Sequence, residues 1–509
     1  MEKNTTSRLT LKQKIGYGCG DAGGLFTFSL MSAFFTRYCL NILGVSTEML
    51  ATLLLVWNVW DAVNDPLMGT LMDKAFAKNH DKRGKFRPWI LRATPMLAVS
   101  AIALWTLPTL FDGVAMLAVL FVCKILYEGA YTMLNIPMGS MLSAMSNTDE
   151  ERAQLSSARG FGSLAGGYTC SLAFPLILGI FGDTAKGYGI GATIMAICGG
   201  VVCFFHYYWT EERHNSASAE DASNSIKVTD IFVVFRKNRA FLALCVHSLF
   251  FCSMLAITGN VGTYMYADVL GSLTMMSTAS LISIPCSILT LAVAPKLAKK
   301  VGLARLICAG LLISAVLYLA LFGTIMFVNI PAIVYAVWAT LASTFSSLSI
   351  LMQWGMVGEA IDYNEYLTGK RTEGSIYGTF SLTRRIGTTI GSSLGVLMLG
   401  WTGYQVGAAT QSASALSGIK ALSTLVPAIC VLGSWFAFRF IWNITDDVRA
   451  KLLLPNKSKA GVLTFLIKYA GRAAASSRFP KVQNFIILRG ILCVLVFWAK
   501  CSTLRFRNI

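Results

Sequence analysis

The stretch MLATLLLVWNVWDAVNDPLMGTL, residues 49–71, places two acidic residues within an apolar run that is long enough to cross a membrane as a helix. Asp61 and Asp65 are four residues apart, so on a helix their carboxylates share one face, with Asn64 beside them. A charge near the centre of a bilayer is costly, and side chains that carry one there usually serve a function. The stretch therefore predicts a membrane helix with a functional acidic pair.

Composition extends this prediction to the whole chain. Hydrophobic residues make up 55% of the 509 positions and charged residues only 13%, and the mean hydropathy is +0.60. A soluble domain carries about 25% charged residues, so much of this protein's surface must face lipid. The apolar runs are continuous rather than alternating, which favours helices over a β-barrel.

Twelve such runs predict an all-α membrane protein. The predicted spans are Ile15–Leu40, Met49–Leu71, Trp89–Leu110, Val114–Leu142, Ser156–Phe181, Tyr188–Trp209, Phe241–Ala267, Met275–Leu297, Leu303–Val328, Ile333–Ala360, Ile376–Trp401 and Leu416–Trp442. Six plus six helices around a polar linker fit the major-facilitator fold, where the solute site lies between the halves. The predicted domains are an N-terminus 1–14, a six-helix half 15–209, a linker 210–239, a second half 240–443 and a tail 444–509.

Basic residues gather in the loops of one membrane side. They are Lys74, Lys78, Lys82, Arg83, Lys85 and Arg87 after the second span, Lys296, Lys299 and Lys300 after the eighth, and Lys370 and Arg371 after the tenth. By the positive-inside rule this side faces the cytoplasm, and both termini lie on it. We expect the protein to lie in the cell membrane. The net charge of +18 comes from these loops together with the basic tail, and we expect membrane lipid, and not nucleic acid, as the surrounding partner.

The tail is unusual because no acidic residue follows Asp447. The apolar segment Phe485–Trp498 is interrupted by Arg489 and is short for a span. It is either an interfacial segment or a sequence unrelated to the fold.

Nothing in the sequence predicts an enzyme. The thirteen cysteines and four histidines form no metal-ligand spacing, and there is no nucleophile elbow or phosphate-binding loop. We expect a transporter without a cofactor, and a coupling ion, Na⁺ or H⁺, as the one inorganic partner.

The acidic pair of the second span allows two interpretations. Two carboxylates one turn apart repel each other unless one is protonated or a cation lies between them. Oxygen ligands of this kind suit a hard cation such as Na⁺. The alternative is that an Arg or Lys from a neighbouring helix neutralises the pair.

The fourth span carries a polar stripe on one helical face, formed by Lys124, Glu128, Thr132 and Asn135. Lys124 and Glu128 could simply pair with each other. Thr132 and Asn135 offer uncharged oxygens to a cation or to a hydroxylated ligand.

Equivalent helices of the two halves each place arginine among small residues. Arg159 lies in the fifth span, and Arg384 and Arg385 lie in the eleventh. Such an arginine could bind sugar hydroxyls or a carboxylate, or neutralise the acidic pair. Trp57 and Trp354 are the aromatic residues that we consider for stacking on a sugar ring.

Several short segments, in this order along the chain, resemble those of a known family. They are WDAVNDPLMG (60–69), RGKFRPW (83–89), NIPMGS (135–140), ERAQLSSAR (151–159), EAIDY (359–363) and RTEG (371–374). Together they resemble the signatures of the glycoside–pentoside–hexuronide:cation symporters of the major facilitator superfamily, which include the melibiose permeases. The resemblance runs from about residue 17 to residue 442.

The resemblance implies a symporter of sugars or glycosides that is driven by Na⁺, H⁺ or Li⁺, and we expect it to be a monomer. It implies that Asp61 and Asp65 bind the cation, with Asn64 and Thr132 nearby. It further implies sugar contacts for Asn135 and Arg159, to which we add Trp354 as a candidate. Arg385, where the family usually has Lys, would link the two sites.

Departures from the melibiose branch predict a different sugar specificity. That branch has a Lys-Asp pair where Gly24 and Leu25 stand, an Asp at Asn135 and a Trp at Gly139. Asp21 either partly replaces the missing acid or is a simple helix-end residue. Glu128 could add a cation ligand or a proton site, and we count it with Arg385 as a coupling residue.

The predicted function is cation-coupled import of a sugar or glycoside by alternating access. Two other functions stay open. One is a facilitator of a non-sugar solute, such as a lysolipid or a small peptide. The other is a membrane sensor that does not transport.

Overall fold

The computed structural model describes residues 9–78, 84–146, 149–213, 238–368, 373–408, 410–445 and 448. The long helices in these residues are α1 Leu11–Arg37, α2 Thr47–Lys78, α3 Arg87–Thr106, α4 Gly113–Met145, α5 Asp149–Phe181, α6 Ala185–Trp209, α7 Arg239–Tyr264, α8 Met275–Val301, α9 Leu303–Phe327, α10 Ala332–Thr368, α11 Glu373–Trp401 and α12 Ala413–Phe436. Single π-helical turns continue three of them, at Tyr38–Ile42, Met265–Val269 and Ala437–Ile441. The all-α fold with twelve helices is as predicted.

Nine helices in the described ranges are long and apolar enough to cross a membrane, judged by length and composition. The remaining long helices, α1, α2 and α11, contain Asp21, Asp61 and the adjacent Arg384 and Arg385. These three helices carry part of the set of charges singled out from the sequence, whereas Lys124 and Glu128 lie on α4 and Arg159 lies on α5, which are among the nine.

Several helices extend beyond the predicted spans, among them α2, which continues past Leu71 to Lys78. α10 continues past Ala360 to Thr368, and α5 begins at Asp149 rather than at Ser156. Hydrophobicity marks the part of a helix that lies in hydrocarbon, whereas the backbone hydrogen bonds can continue into water. Most of the linker and nearly all of the tail lie outside the described residues.

The same packing occurs in both halves, between the first helix and the fifth. In the first half, a methyl group at Gly162 of α5 would overlap the carbonyl oxygen of Gly18 in α1. In the second, a methyl group at Gly391 of α11 would overlap the carbonyl oxygen of Ser253 in α7. Glycine at these positions allows the two backbones to touch, as small residues do in membrane helices generally. The halves are thus built on one plan.

The halves meet through α2 against α11, α5 against α8 and α1 against α7. In the first two contacts, the second helix of one half packs on the fifth helix of the other. This exchange is what a repeated six-helix unit produces around an approximate two-fold axis. It places the charged residues of α2 and α11 at the interface between the halves.

A charged network joins the halves where α1 ends, on the side that we call the far side. Arg37 of α1 donates to Asp183 from Nε at 3.0 Å and Nη2 at 2.7 Å, and from Nη1 to Asp268 of the second half at 3.4 Å. The side chain of Arg37 is 7% exposed. Tyr404 donates to Asp268 at 3.3 Å and accepts from Asn41 at 2.9 Å. The network holds the far side of the interface together.

Removing Arg37 should destabilise this interface. We expect Arg37→Met to lower the free energy of unfolding by about 3 kcal/mol, since a partly buried carboxylate that loses its partner costs that much. The measurement is thermal unfolding of the purified protein in detergent. Lys186→Met, which also removes a charge beside a far-side loop, is the control. Equal thermal midpoints for the two variants would contradict the role given to Arg37.

Candidate functional site

The polar faces of α2 and α4 meet in register. Asn64 of α2 donates from Nδ2 to the hydroxyl oxygen of Thr132 in α4 at 3.1 Å, and both residues are buried. The two helices run in the same direction, so Asp61, one turn before Asn64, lies opposite Glu128, one turn before Thr132. The predicted neighbours Asn64 and Thr132 are in direct contact.

Glu128 forms an ion pair with Lys124, one turn earlier on α4. The Lys124 side chain is 10% exposed, and its ammonium lies 5.6 Å from the ring centroids of both Phe35 and Tyr127. Rings and carboxylate together surround the ammonium where water is largely excluded. The pairing within α4 that the sequence allowed is therefore present.

Asp61 is also paired across the two halves. Arg385 of α11 donates from Nη1 to Asp61 Oδ2 at 3.2 Å, and the two side chains are 40% and 37% exposed. An arginine from a neighbouring helix thus neutralises this carboxylate, which was the alternative interpretation of the acidic pair. The side chain of Asp65, the second member of the acidic pair, lies outside the described residues.

A cavity of about 330 Å³ lies beside this ion pair, between the halves. It is lined by Asn58, Asp61, Cys252, Ser381, Arg384, Arg385, Thr388 and Thr389. Two guanidinium groups and one carboxylate face it, with hydroxyls and an amide around them. Such a lining suits a polar, hydroxylated solute or a small ion.

Asn58 is a polar contact between the halves that the sequence analysis did not select. It donates from Nδ2 to the hydroxyl oxygen of Ser392 in α11 at 2.9 Å. Asn260 of α7 donates to the carbonyl oxygen of Ser392 at 3.0 Å and accepts from Thr36 of α1 at 2.9 Å. The sequence pattern could have indicated Asn58, since this polar residue lies one helical turn before Asp61 in the apolar run of residues 49–71.

A second cluster joins α1, α4 and α5. Arg159 of α5 donates from Nε to Asp21 Oδ1 at 3.1 Å and from Nη2 to Asn135 Oδ1 at 3.4 Å. Ser163 donates to the other carboxylate oxygen of Asp21. The structure therefore brings together the predicted residues Asn135 and Arg159. The interpretation of Asp21 as a helix-end residue is wrong, because α1 begins at Leu11.

The two tryptophans considered for sugar stacking differ in outcome. Trp57 is 3% exposed, and its ring packs at 5.8 Å from the ring of Phe35 and at 6.0 Å from that of Phe121. It is a packing residue of the α2–α4 core and does not line the cavity. The side chain of Trp354 lies outside the described residues.

The site consists of two clusters of paired charges. In the part of the chain that the structure describes, no group of three or more His, Cys, Asp and Glu residues could hold a metal ion. The two clusters contain carboxylate, amide and hydroxyl oxygens, which coordinate alkali cations, and guanidinium donors, which bind hydroxyls and anions. The first cluster can offer oxygens to a cation at the interface between the halves, and the second can offer hydrogen-bond donors and acceptors to a polar solute within the first half.

Comparisons with known proteins agree with this architecture. Residues 16–446 match the model of a family described as MFS/sugar transport protein. An uncharacterized symporter, YjmB of Bacillus subtilis (strain 168), is 30% identical over 88% of this chain and 96% of its own length. A glucuronide carrier protein homolog of Escherichia coli (strain K12) is 27% identical over 90% of this chain and 98% of its length.

Among solved structures, the fold is similar to that of a D-xylose-proton symporter. The TM-score is 0.57 at 14% sequence identity, and the match covers 84% of this chain and 97% of that one. The nucleoside transporter NupG gives a TM-score of 0.55, also at 14% identity, over 86% of this chain and 100% of that one. At this identity the likeness concerns the fold alone.

The burial of Trp57 leads to a test on α2. Trp57→Ala should lower the free energy of unfolding by roughly 3–5 kcal/mol, as the loss of a buried aromatic ring does. Trp60→Ala is the matched control, because Trp60 is 36% exposed on the same helix and should cost much less. Thermal unfolding of both variants in detergent makes the comparison. A smaller loss for Trp57→Ala than for Trp60→Ala would refute the packing role.

Proposed function

The chain belongs to the MFS/sugar transport protein family, as one of the glycoside–pentoside–hexuronide:cation symporters of the major facilitator superfamily, and on that premise we propose that it imports a sugar or glycoside together with a cation. It is a multi-pass membrane protein and a secondary transporter. We place it in the cell membrane with both termini in the cytoplasm, as a monomer that needs no cofactor, binds no nucleic acid and catalyses no chemical reaction.

The observation that carries this proposal is the Asp61–Arg385 ion pair between the halves. A cation bound at Asp61, Asn64, Asp65 and Thr132 adds positive charge beside Arg385, so it weakens the pull of Asp61 on that arginine. Binding of the cation therefore changes how α2 and α11 are held together. Glu128 adds a further carboxylate to this site, and Na⁺ and H⁺ are the two candidate ions.

We assign the solute to the neighbouring cluster of α4 and α5. Asn135 and Arg159 present an amide and a guanidinium, which hydrogen-bond hydroxyl oxygens; Trp354 is the proposed aromatic contact. A glycoside with a carboxylate is within the proposed range, because a guanidinium also binds carboxylate. A relative of this chain is named a glucuronide carrier protein homolog.

Transport then requires the far-side network to open and close. With both termini in the cytoplasm, the far side is the outside of the cell, and the bridge from Arg37 to Asp268 closes that side. Cation and solute would enter when this bridge is broken and leave toward the cytoplasm when it is formed. Coupling is reciprocal: a cation that raises the affinity for sugar is itself bound more tightly when sugar is present.

A facilitator of lysolipids or small peptides, or a membrane sensor, is a weaker proposal. Asp61 of α2 is paired with Arg385 of the other half, so a cation bound at Asp61 would act on the contact between the halves. A sensor that does not transport has little use for this connection. The proposed solute contacts Asn135 and Arg159 are an amide and a guanidinium, which suit a sugar better than an acyl chain.

The decisive experiment is uptake of labelled glycosides into proteoliposomes. A panel of pentosides, β-glucosides, α-galactosides and glucuronides is offered under a Na⁺ gradient and then under a proton gradient. We expect one glycoside to accumulate under one gradient. Asp61→Asn should reduce this accumulation at least roughly tenfold, in line with the usual size of coupling between two ligands, because the cation site loses a charge.

Asp112→Asn is the matched control, since Asp112 is an exposed acidic residue in the loop before α4. This variant should transport like the unmodified protein. Cation-dependent accumulation that survives in the double variant Asp61→Asn/Asp65→Asn would refute the site. Failure of the unmodified, folded protein to accumulate any glycoside would refute sugar symport itself.

A further inference from the structure

Asp21 occupies a position that the close packing of α1 and α5 creates. It lies about three turns into α1, where a methyl group at Gly18 would be 2.6 Å from the carbonyl oxygen of Ala158 in α5. The two backbones touch at this level. A side chain as short as aspartate therefore reaches α5 directly, and its position is fixed by the backbone rather than by a long, mobile chain.

Both oxygens of the Asp21 carboxylate are engaged. Oδ1 accepts from Nε of Arg159 at 3.1 Å and lies 3.1 Å from its Nη2, and Oδ2 accepts from the hydroxyl of Ser163. The carboxylate thus holds one edge of the guanidinium while Ser163 holds the carboxylate. Hydrogen bonds to charged groups are the strong ones, so this clamp fixes the orientation of the guanidinium plane.

The two partners differ in exposure. The side chain of Asp21 is 15% exposed, whereas that of Arg159 is 36% exposed. The opposite edge of the guanidinium faces Gly139 of α4, where an added methyl carbon would lie 3.7 Å from Nη1. Glycine at this position leaves space beside Nη1, next to the amide of Asn135. Nη1 is thus the amino group of Arg159 that borders the space left at Gly139.

We propose that Asp21 is a positioning residue for solute recognition: it holds Arg159 so that the Nη1 amino group faces the space at Gly139. This inference rests on the proposed function and adds a residue to the solute site. The two N–H groups of Nη1 then point at a pair of neighbouring hydroxyl oxygens of a glycoside, with Asn135 beside them. Asp21 itself does not touch the solute.

The test compares transport kinetics of Asp21→Asn with those of the unmodified protein. Proteoliposomes receive methyl β-D-xyloside, methyl β-D-glucoside and phenyl β-D-glucuronide under the driving gradient. Asp21→Asn keeps the shape and an acceptor for Ser163 but removes the charge that orients Arg159. We expect KM for the transported probe to rise roughly tenfold, the usual effect of losing a charged hydrogen bond, with a maximal rate within about threefold and unchanged cation half-saturation.

A double-variant cycle separates positioning from direct contact. In an Arg159→Lys background, Asp21→Asn should leave KM unchanged, because Asp21 acts through the guanidinium. A further rise of about tenfold there would mean that Asp21 binds the solute itself and would overturn the proposal. Ser163→Ala is a milder change that retains all charges, and we expect it to raise KM about threefold. If Asp21→Asn does not fold, the KM of Ser163→Ala tests the proposal in its place.

Two further outcomes also overturn the inference. One is an unchanged KM in Asp21→Asn with normal transport. The other is a parallel loss of maximal rate, cation affinity and thermal stability, which a merely structural ion pair would produce. Asp112→Asn serves as the control with unchanged kinetics. If the unmodified protein accumulates neither these three probes nor any other glycoside of the uptake panel, sugar symport has failed; if it accumulates one and KM does not respond, only the role of Asp21 has failed.

Discussion

Charge neutralisation inside an apolar helix bundle is the constraint on which this structure depends. An isolated charge in low dielectric costs several kcal/mol, so the carboxylates of the two clusters lie against basic groups. The pairs Asp61–Arg385 and Arg37–Asp268 join the two halves. Ion pairs therefore help to hold the interface that opens and closes in the proposed transport cycle.

Close helix packing makes these pairs possible. Glycines let α1 touch α5 and let α7 touch α11, so that short polar side chains meet across the contact. Asp21 reaches Arg159 in this way in the first half. In the second half, the same contact supports α11, which carries Arg385 to the interface. The repeated architecture and the charged clusters are therefore two aspects of one arrangement.

A symporter needs a solute site and an ion site that depend on each other. In the proposed function α4 belongs to both, since it carries Thr132 of the α2 cluster and Asn135 of the α5 cluster within one helical turn. A change in how α4 meets α2 would reach Asn135 through this one turn of helix. This short connection gives the proposed coupling a physical route through contiguous contacts.

The sequence by itself determined the twelve helices and the charged positions, because long apolar runs and the charges within them are local properties of the chain. It also brought Lys124 next to Glu128, since helical spacing suffices for residues on one helix. Only the tertiary structure decided that Arg385 neutralises Asp61, that Trp57 is buried and that Asp21 clamps Arg159. Those outcomes depend on which helices are neighbours and on how each helix is rotated about its axis. The pattern of residues along a single helix determines neither.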